Sequence, residues 1–311
     1  MAISTILSSY NGSKFIKQQI DSILNQDVGI HELVIVDDCS SDDSIKIIRE
    51  IMSTDHRIIL LENKKNIGTN KSLEIALKHT TGDIIFFSDQ DDLWLPNKTK
   101  LFLAEFQSTG KSVIYSDALV IKGSDIICDS ELKYHGHNSF FTNPIGIAFS
   151  NCFPGHNMMA TREYAISLLP FPDVSFYDHW IAVNASLDAE IGLINKKLLL
   201  HRIHQANQVN NLFQTKESKS KKTKKARSKA GLYEIFSLIK RKSNQDSLEY
   251  KLANSATSFR QGCHFSIYNT AVLILCLKHM NIFFPNLSRL KAIRKSHNLA
   301  KGILPRITQE K

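Results

Sequence analysis

Cysteine is scarce in this chain, and what there is does not pair. The five residues, Cys39, Cys128, Cys152, Cys263 and Cys276, are scattered and show no C-x-x-C spacing. An odd, dispersed set argues against a disulfide framework or a zinc site and fits a reducing cytoplasm. Long apolar runs are also missing. The longest near the C-terminus, Ala271 to Leu277, is closed by Lys278, whereas a spanning helix needs about 20 mostly apolar residues. The first residues, Ala2-Ile3-Ser4-Thr5-Ile6-Leu7, read as a strand and lack the basic segment that opens a secretory signal. The expectation is therefore a chain that neither spans a membrane nor carries an export signal. Internal repeats, a glycine-rich triphosphate loop near the N-terminus, and any Ser/His/Asp or Cys/His arrangement for a covalent nucleophile are absent as well.

What is present is an ordinary globular composition, 311 residues of which 42 % are apolar, enough for one large α/β domain with an appendage. The net charge of +9 hides an asymmetry. Residues 212–311 carry 21 Lys and Arg against 5 Asp and Glu, while residues 1–211 carry 18 against 25. An acidic body joined to a basic tail implies two tasks, with the tail suited to a polyanion such as a membrane surface, a nucleic acid or an acidic partner.

The first half alternates strand and helix signals. Ala2–Ser8, Glu32–Asp37, Arg57–Glu62, Asp83–Ser88 and Val113–Tyr115 read as strands, several as continuous apolar runs typical of buried parallel strands. Helices are expected over Ser13–Asn25, from Ser40 or Ser41 to about Met52, over Asn70–His79, and from Pro96 to about Gln107. Such alternation predicts an α/β fold, with a mostly parallel sheet and helices on both faces. After Asn151 it loosens: Asp178–Ala189 reads as a helix, Glu190–Ile194 and Lys197–Arg202 as strands. Lys216–Lys229 is basic and nearly free of apolar residues, and reads as a solvated linker or irregular arm. Leu232–Lys240, Leu248–Phe259 and Phe265–His279 read as helices. The expected division is a catalytic domain over 1–211, a basic arm over 212–231 and a helical region over 232–311.

Ligands of open α/β sheets sit beyond the carboxyl ends of the strands. Three strands end in polar clusters: Ser8-Ser9-Tyr10-Asn11, Asp37-Asp38-Cys39-Ser40 and Ser88-Asp89-Gln90-Asp91-Asp92. Carboxylates one residue apart, such as Asp89 and Asp91, suit Mg²⁺ or Mn²⁺, which keep phosphate and water oxygens as further ligands. The competing reading is a turn, with Asp92 as a turn or cap residue. Asp37 and Asp38 can accept from a base N–H or a ribose hydroxyl, or simply cap the next helix.

Together the clusters resemble the family 2 glycosyltransferases, whose nucleotide-sugar-binding domain has the Rossmann-like GT-A fold. The resemblance runs from Ala2 to about Asn211. It is carried in order by Ser9-Tyr10-Asn11-Gly12, Val36-Asp37-Asp38-Cys39-Ser40-Ser41-Asp42, Asn66-Ile67-Gly68-Thr69-Asn70-Lys71 and Ser88-Asp89-Gln90-Asp91-Asp92-Leu93-Trp94. The last motif with Pro96-Asn97-Lys98, together with Tyr177-Asp178-His179-Trp180 and Arg202-Ile203-His204-Gln205-Ala206-Asn207, is similar to the bacterial rhamnosyltransferase-like branch. Two departures touch the acceptor pocket: His201 stands where the branch commonly has Tyr, and His179 where it often has Trp.

The resemblance implies an inverting, metal-dependent transferase of surface polysaccharide (O-antigen or capsule) synthesis. It would move a sugar from dTDP-L-rhamnose or a UDP-hexose to a polyprenyl-diphosphate-linked saccharide, at the inner face of the cytoplasmic membrane. It implies Asp178 as base, Trp180 at the acceptor, and Mn²⁺ or Mg²⁺ held through Asp91 with Asp89 and His204. His156, between Gly155 and Asn157, is a separate candidate for touching the acceptor. Thr5, Ser8, Tyr10, Asp37, Asp38, Lys71 and Asp89 would hold the nucleotide. His156 as a loop histidine and Trp94 under the acidic loop also have plain structural readings. The basic run Lys219, Lys221, Lys222, Lys224, Lys225, Arg227 and Lys229 suits an anionic leaflet, and the stretch Phe265–Phe284 an interface. The competing reading there is a helical appendage packed on protein. Two other classes stay open: a nucleotide-binding or nucleic-acid-binding protein acting through the tail, although no nucleic-acid motif accompanies the charge, and a nucleotidyltransferase.

Overall fold

The computed structural model describes residues 1–205, 218–258 and Ile293. The expected helix over Phe265–His279, the interfacial stretch to Phe284 and the Ala206-Asn207 end of the last motif lie outside the described residues. Two compact units divide the chain. One comprises 1–136, 153–171 and 190–205; the other comprises 137–152, 172–189 and 206–311.

The first unit is built on one nine-stranded sheet. Its parallel half contains β1 (Ile3–Ser9), β2 (Glu32–Asp37), β3 (Ile58–Glu62) and β4 (Ile84–Ser88), in the order β3-β2-β1-β4. The crossovers are α1 (Ile16–Leu24), α2 (Ser44–Met52) and α3 (Thr69–His79). Every residue of β2 and β4 is buried, as expected for strands covered on both faces. Helix α1 buries Ile16, Gln19, Ile20 and Ile23, the three-and-four spacing that points one stripe at a sheet.

The far half of the sheet is mixed. It holds β5 (Leu93–Trp94), β6 (Val113–Lys122), β7 (Asp125–Cys128), β8 (Met158–Thr161) and β9 (Ile191–Arg202), with α4 (Lys98–Thr109), the short helix α5 (Glu131–Tyr134) and α7 (Arg162–Ser167). β8 runs antiparallel between β4 and β6, and β9 runs parallel to β6. The two strand signals expected over 190–202 are one strand. Its pairing jumps from Ser116↔Ile194 to Asp117↔Lys197, so Asn195 and Lys196 bulge out and split the pattern. The core beneath the acidic loop is aromatic: Phe86 is fully buried, with ring centroids 5.5 Å from Trp94 and 5.3 Å from Phe102.

The second unit is helical. It contains α6 (Pro144–Phe149), α8 (Tyr177–Leu187) and two further helices, Ser218–Lys242 and Leu248–Ser258. The irregular arm expected over 212–231 differs from the structure, which continues the helix through Ser218–Lys229. Lys, Arg and Ala are strong helix formers and no proline interrupts them, so high charge did not exclude a helix. Ile235, Phe236 and Ile239 are buried, and Phe236 packs on Phe149 at 5.2 Å. Gly231 lets this helix approach the 174–175 backbone, because a Cβ there would stand 2.4 Å from the Val174 carbonyl oxygen. Among the described residues, no helix is long and apolar enough to cross a membrane.

Candidate active site

The register of the parallel strands brings the three polar clusters to one edge. Ser9 stands opposite Asp37, and Leu7 opposite Ser88, so all three strands run out together. The chain turns sharply there. Asn11 and Cys39 adopt left-handed conformations, with φ of 50° and 67°, uncommon for residues other than glycine.

The first two loops lock into each other. The backbone N–H groups of Asn11, Gly12 and Ser13 donate to Ser40 Oγ, Ser44 Oγ and Asp42 Oδ2, and Ser41 N donates to Asn11 Oδ1. Asp37 accepts from both the N–H and the hydroxyl of Ser40, at 2.8 and 2.7 Å. Asp38 gathers the loop before α3: Oδ1 accepts from Asn63 and Ile67 N–H, and Oδ2 from Gly68 N–H. These seryl groups therefore serve the loops, and Ser40 and Ser41 do not cap α2, which starts at Ser44 without a side-chain cap. The third loop is latched to the first by Gln90. Its amide accepts from Tyr10 N at 2.8 Å and donates to Tyr10 O at 3.1 Å. Gly12 leaves room for that amide, since a Cβ would meet it at 2.3 Å.

The nucleotide candidates fall at different depths. Tyr10 is exposed at the rim and Ser8 is half-buried. Thr5 lies four residues upstream of the strand end and is fully buried, its hydroxyl without a hydrogen-bond partner. Lys71, in the first turn of α3, pairs with Glu74 at 3.0 Å.

The expected metal trio is split between two partners. Asp91 Oδ2 lies 2.8 Å from His204 Nε2, and the His204 ring packs on Phe15 at 4.5 Å. The Arg202 guanidinium lies over the same Phe15 ring. Asp89 turns instead to His156, with Oδ2 3.2 Å from Nδ1. A carboxylate oxygen and an imidazole nitrogen 2.8 Å apart are spaced like neighbouring ligands of an octahedral ion, about 3 Å for bonds of about 2.1 Å. The O/N donor set suits Mn²⁺ or Mg²⁺ with phosphate oxygens completing the shell, so the residues present fit a divalent cation at Asp91 and His204.

Behind Asp89 lies a buried charge cluster. His156 Nε2 is 3.0 Å from Glu131 Oε2, Asn157 Nδ2 donates to the same oxygen, and His201 Nδ1 is 2.7 Å from Glu131 Oε1. Lys98 is fully buried, donates to the His156 carbonyl at 2.7 Å and lies 4.3 Å above the Trp94 ring. Asp92 accepts from Arg202 N, a contact to β9, and it does not cap α4, whose N-cap position is Asn97. Among the described residues, two groups of three bring ligand atoms within 4.8 Å of one another: Asp89–Asp92–His156 and Glu131–His135–His201.

Burial opposes every charge here, and the partners decide the outcome. Burial would raise Glu131, but His156 and His201 hold it well below the usual carboxylate range. Burial would neutralise His156, but Glu131, Asp92 and Asp89 raise its pKa well above the usual value. His201 is raised in the same way, against burial, mainly by Glu131. Asp89 is lowered, the His156 bond and charge outweighing burial. For two groups burial wins: Asp92 is pushed up to about 6 and Lys98 down to about 7. His156 was a candidate acceptor contact from sequence. It is 6 % exposed and both its ring nitrogens face carboxylates, which leaves neither for an acceptor.

The remaining candidates belong to the second unit. Asp178 lies in the first turn of α8, its Oδ1 accepting from His179 N, and Trp180 is half-buried one residue further on. His179 Nε2–H donates to the Ile147 carbonyl oxygen at 2.9 Å, and burial pushes its pKa down to about 4. It is a neutral packing residue.

A sequence model of Glycosyl transferase family 2 matches residues 4–165. The chain belongs to this family. It is a glycosyltransferase with an α/β, GT-A-like fold. Among curated proteins it is 28 % identical to an Escherichia coli enzyme, the UDP-Glc:alpha-D-GlcNAc-diphosphoundecaprenol beta-1,3-glucosyltransferase WfgD. That match covers 62 % of this chain and 73 % of WfgD. It is 32 % identical to the putative teichuronic acid biosynthesis glycosyltransferase TuaG of Bacillus subtilis, over 37 % of this chain and 48 % of that one, so it spans less than half of TuaG. In fold it is similar to S. aureus TarS 1-349, solved with UDP-GlcNAc. The TM-score is 0.62 at 15 % identity, covering 97 % of this chain and 90 % of that one. The rhamnosyltransferase-like branch is not singled out by these relatives.

Sequence reasoning missed Glu131, Lys98 and the Gln90 latch. The departure at His201 was the one signal pointing to the buried cluster. Glu131 itself carries no local pattern, because its partners lie 25 and 70 residues away in the chain.

Proposed function

We propose that this glycosyltransferase moves a hexose, with inversion, from a UDP donor to a hydroxyl of a polyprenyl-diphosphate-linked saccharide in surface polysaccharide synthesis. The observation that carries the reading is the Asp91–His204 pair, 2.8 Å apart, on the edge where three parallel strands end. The naming of WfgD as a UDP-glucose enzyme acting on a lipid-linked GlcNAc favours UDP-glucose over dTDP-L-rhamnose as donor.

In this reading Asp91 and His204 would hold Mn²⁺ or Mg²⁺, which when bound would supply positive charge to offset that of the leaving diphosphate. The exposed Tyr10 ring offers a face for the base, and the loops locked through Asp37 and Asp38 shape the ribose side. Asp178 accepts the proton of the acceptor hydroxyl. That oxygen bonds to the anomeric carbon as the bond to the diphosphate breaks on the opposite face, and UDP leaves. Trp180 lines the acceptor. The basic run Lys219–Lys229 suits an anionic leaflet, each cation worth about 1 kcal/mol near the surface, which would hold the enzyme peripherally at the cytoplasmic face.

The test is transfer from UDP-glucose to a synthetic GlcNAc-diphosphate lipid with Mn²⁺, with dTDP-L-rhamnose and UDP-N-acetylhexosamines in parallel. Metal-dependent UDP release with product formation is expected. Asp178→Asn should lower kcat by about 10²–10⁴-fold, the usual size of general-base catalysis, while UDP binding persists. No transfer from any donor would reject the reading.

A further inference from the structure

The buried cluster has no part in the scheme above, yet it ends on a residue of the rim. Asp89 is nearly half exposed, with 46 % of its side chain accessible, while the histidine behind it is 7 % accessible. A short carboxylate at a strand end would otherwise sample several rotamers. His156 approaches one of its oxygens, Oδ2, at 3.2 Å.

His156 is itself held at its ring and at its backbone. Its Nε2 meets Glu131 Oε2 at 3.0 Å. Because acceptors stand at both nitrogens, a ring flip would set C–H groups against carboxylates. Its carbonyl takes the Lys98 ammonium at 2.7 Å. Glu131 is held in turn: Asn157 donates to Oε2 at 3.1 Å, and His201 Nδ1 lies 2.7 Å from Oε1. The contacts therefore run from β9 through α5 and the turn Gly155–Asn157 to the end of β4. Supporting contacts of this kind set the geometry of site residues.

We infer that His156, anchored by Glu131, is a positioning residue that fixes the Asp89 carboxylate for the nucleoside diphosphate donor. The inference rests on the reading of the rim as the donor site, and it assigns Glu131 and His156 a role in donor affinity.

The two ring nitrogens can be imitated separately. An asparagine amide nitrogen stands at the reach of Nδ1, and a glutamine amide nitrogen at that of Nε2. His156→Asn keeps a donor for Asp89, whereas His156→Gln keeps only the contact to Glu131. The measurement is calorimetric binding of UDP in saturating Mn²⁺, with thermal midpoints for each variant. His156→Gln should weaken UDP binding about 10-fold or more, the scale of a lost hydrogen bond to a charged group. His156→Asn should stay within about threefold of the unsubstituted protein. In an Asp89→Asn background the two variants should no longer differ, since the coupling runs through that carboxylate. Equal losses in both variants, or losses that persist in the Asp89→Asn background, would overturn the positioning role. Failure of the unsubstituted protein to bind UDP or any other nucleoside diphosphate would instead reject the donor-site reading, and this inference with it.

Discussion

Two acidic strand ends in this molecule look alike in sequence and behave differently in space. After β2, Asp37 and Asp38 accept five hydrogen bonds from Ser40, Asn63, Ile67 and Gly68, three of them from backbone N–H groups. After β4, Asp89 and Asp91 face the imidazoles of His156 and His204. A backbone N–H has no other use and holds its carboxylate permanently. The His204 imidazole can trade its proton for a shared ion, so Asp91 beside it stays usable by a ligand. In the proposed function the first pair would build the wall of the site and the second would supply its chemistry.

That contrast breaks if the two pairs respond alike to substitution. The largest effect is expected at Asp91. Asp91→Ala should lower transfer about 10³-fold, the scale of several kcal/mol of metal-assisted charge stabilisation, with the urea midpoint of unfolding almost unchanged. Asp38→Ala should act in the opposite sense, costing about 3 kcal/mol of stability in urea unfolding, because Ile67 and Gly68 N–H and the Asn63 amide all lose a charged acceptor. Gln90→Ala, which frees the third loop from Tyr10, should cost about 1 kcal/mol and raise the KM for the donor more than it lowers kcat.

The smallest effect is a pH dependence that sharpens the role of the buried cluster. Burial disfavours the His201 cation, but Glu131 raises its pKa in the fold. Its stabilisation is therefore complete below the unfolded value of about 6.5 and is lost as pH rises through the raised value. His201→Gln should destabilise the protein more at pH 6 than at pH 9, measured by urea unfolding of both proteins at each pH. An equal loss at both would mean that the ring acts by packing alone.

Much of this was legible in the chain. The apolar runs of β2 and β4 and the stripe of α1 follow directly from periodicity, and parallel alternation places the polar clusters on one edge. The Asp91–His204 pair was expected from the motifs that carry the family resemblance. What escaped was determined by contacts distant in sequence. β8 is a four-residue strand inserted antiparallel between β4 and β6, with nothing local to announce it. Two bulged residues disguised β9 as two strands. The charge of Lys219–Lys229 hid a helix, because composition describes solvation better than backbone conformation. His156, a loop histidine between Gly155 and Asn157, had both an acceptor and a structural reading, while Glu131, which occupies its far nitrogen, was invisible.

The most direct measurement is UDP binding by calorimetry, with and without Mn²⁺, for the unsubstituted protein, Asp91→Asn and Asp37→Asn. The account predicts that Mn²⁺ strengthens UDP binding, that Asp91→Asn abolishes the Mn²⁺ effect, and that Asp37→Asn retains it with lower stability. Mn²⁺-enhanced binding that survives in Asp91→Asn and disappears in Asp37→Asn would place the ion at the wrong strand end and contradict the account.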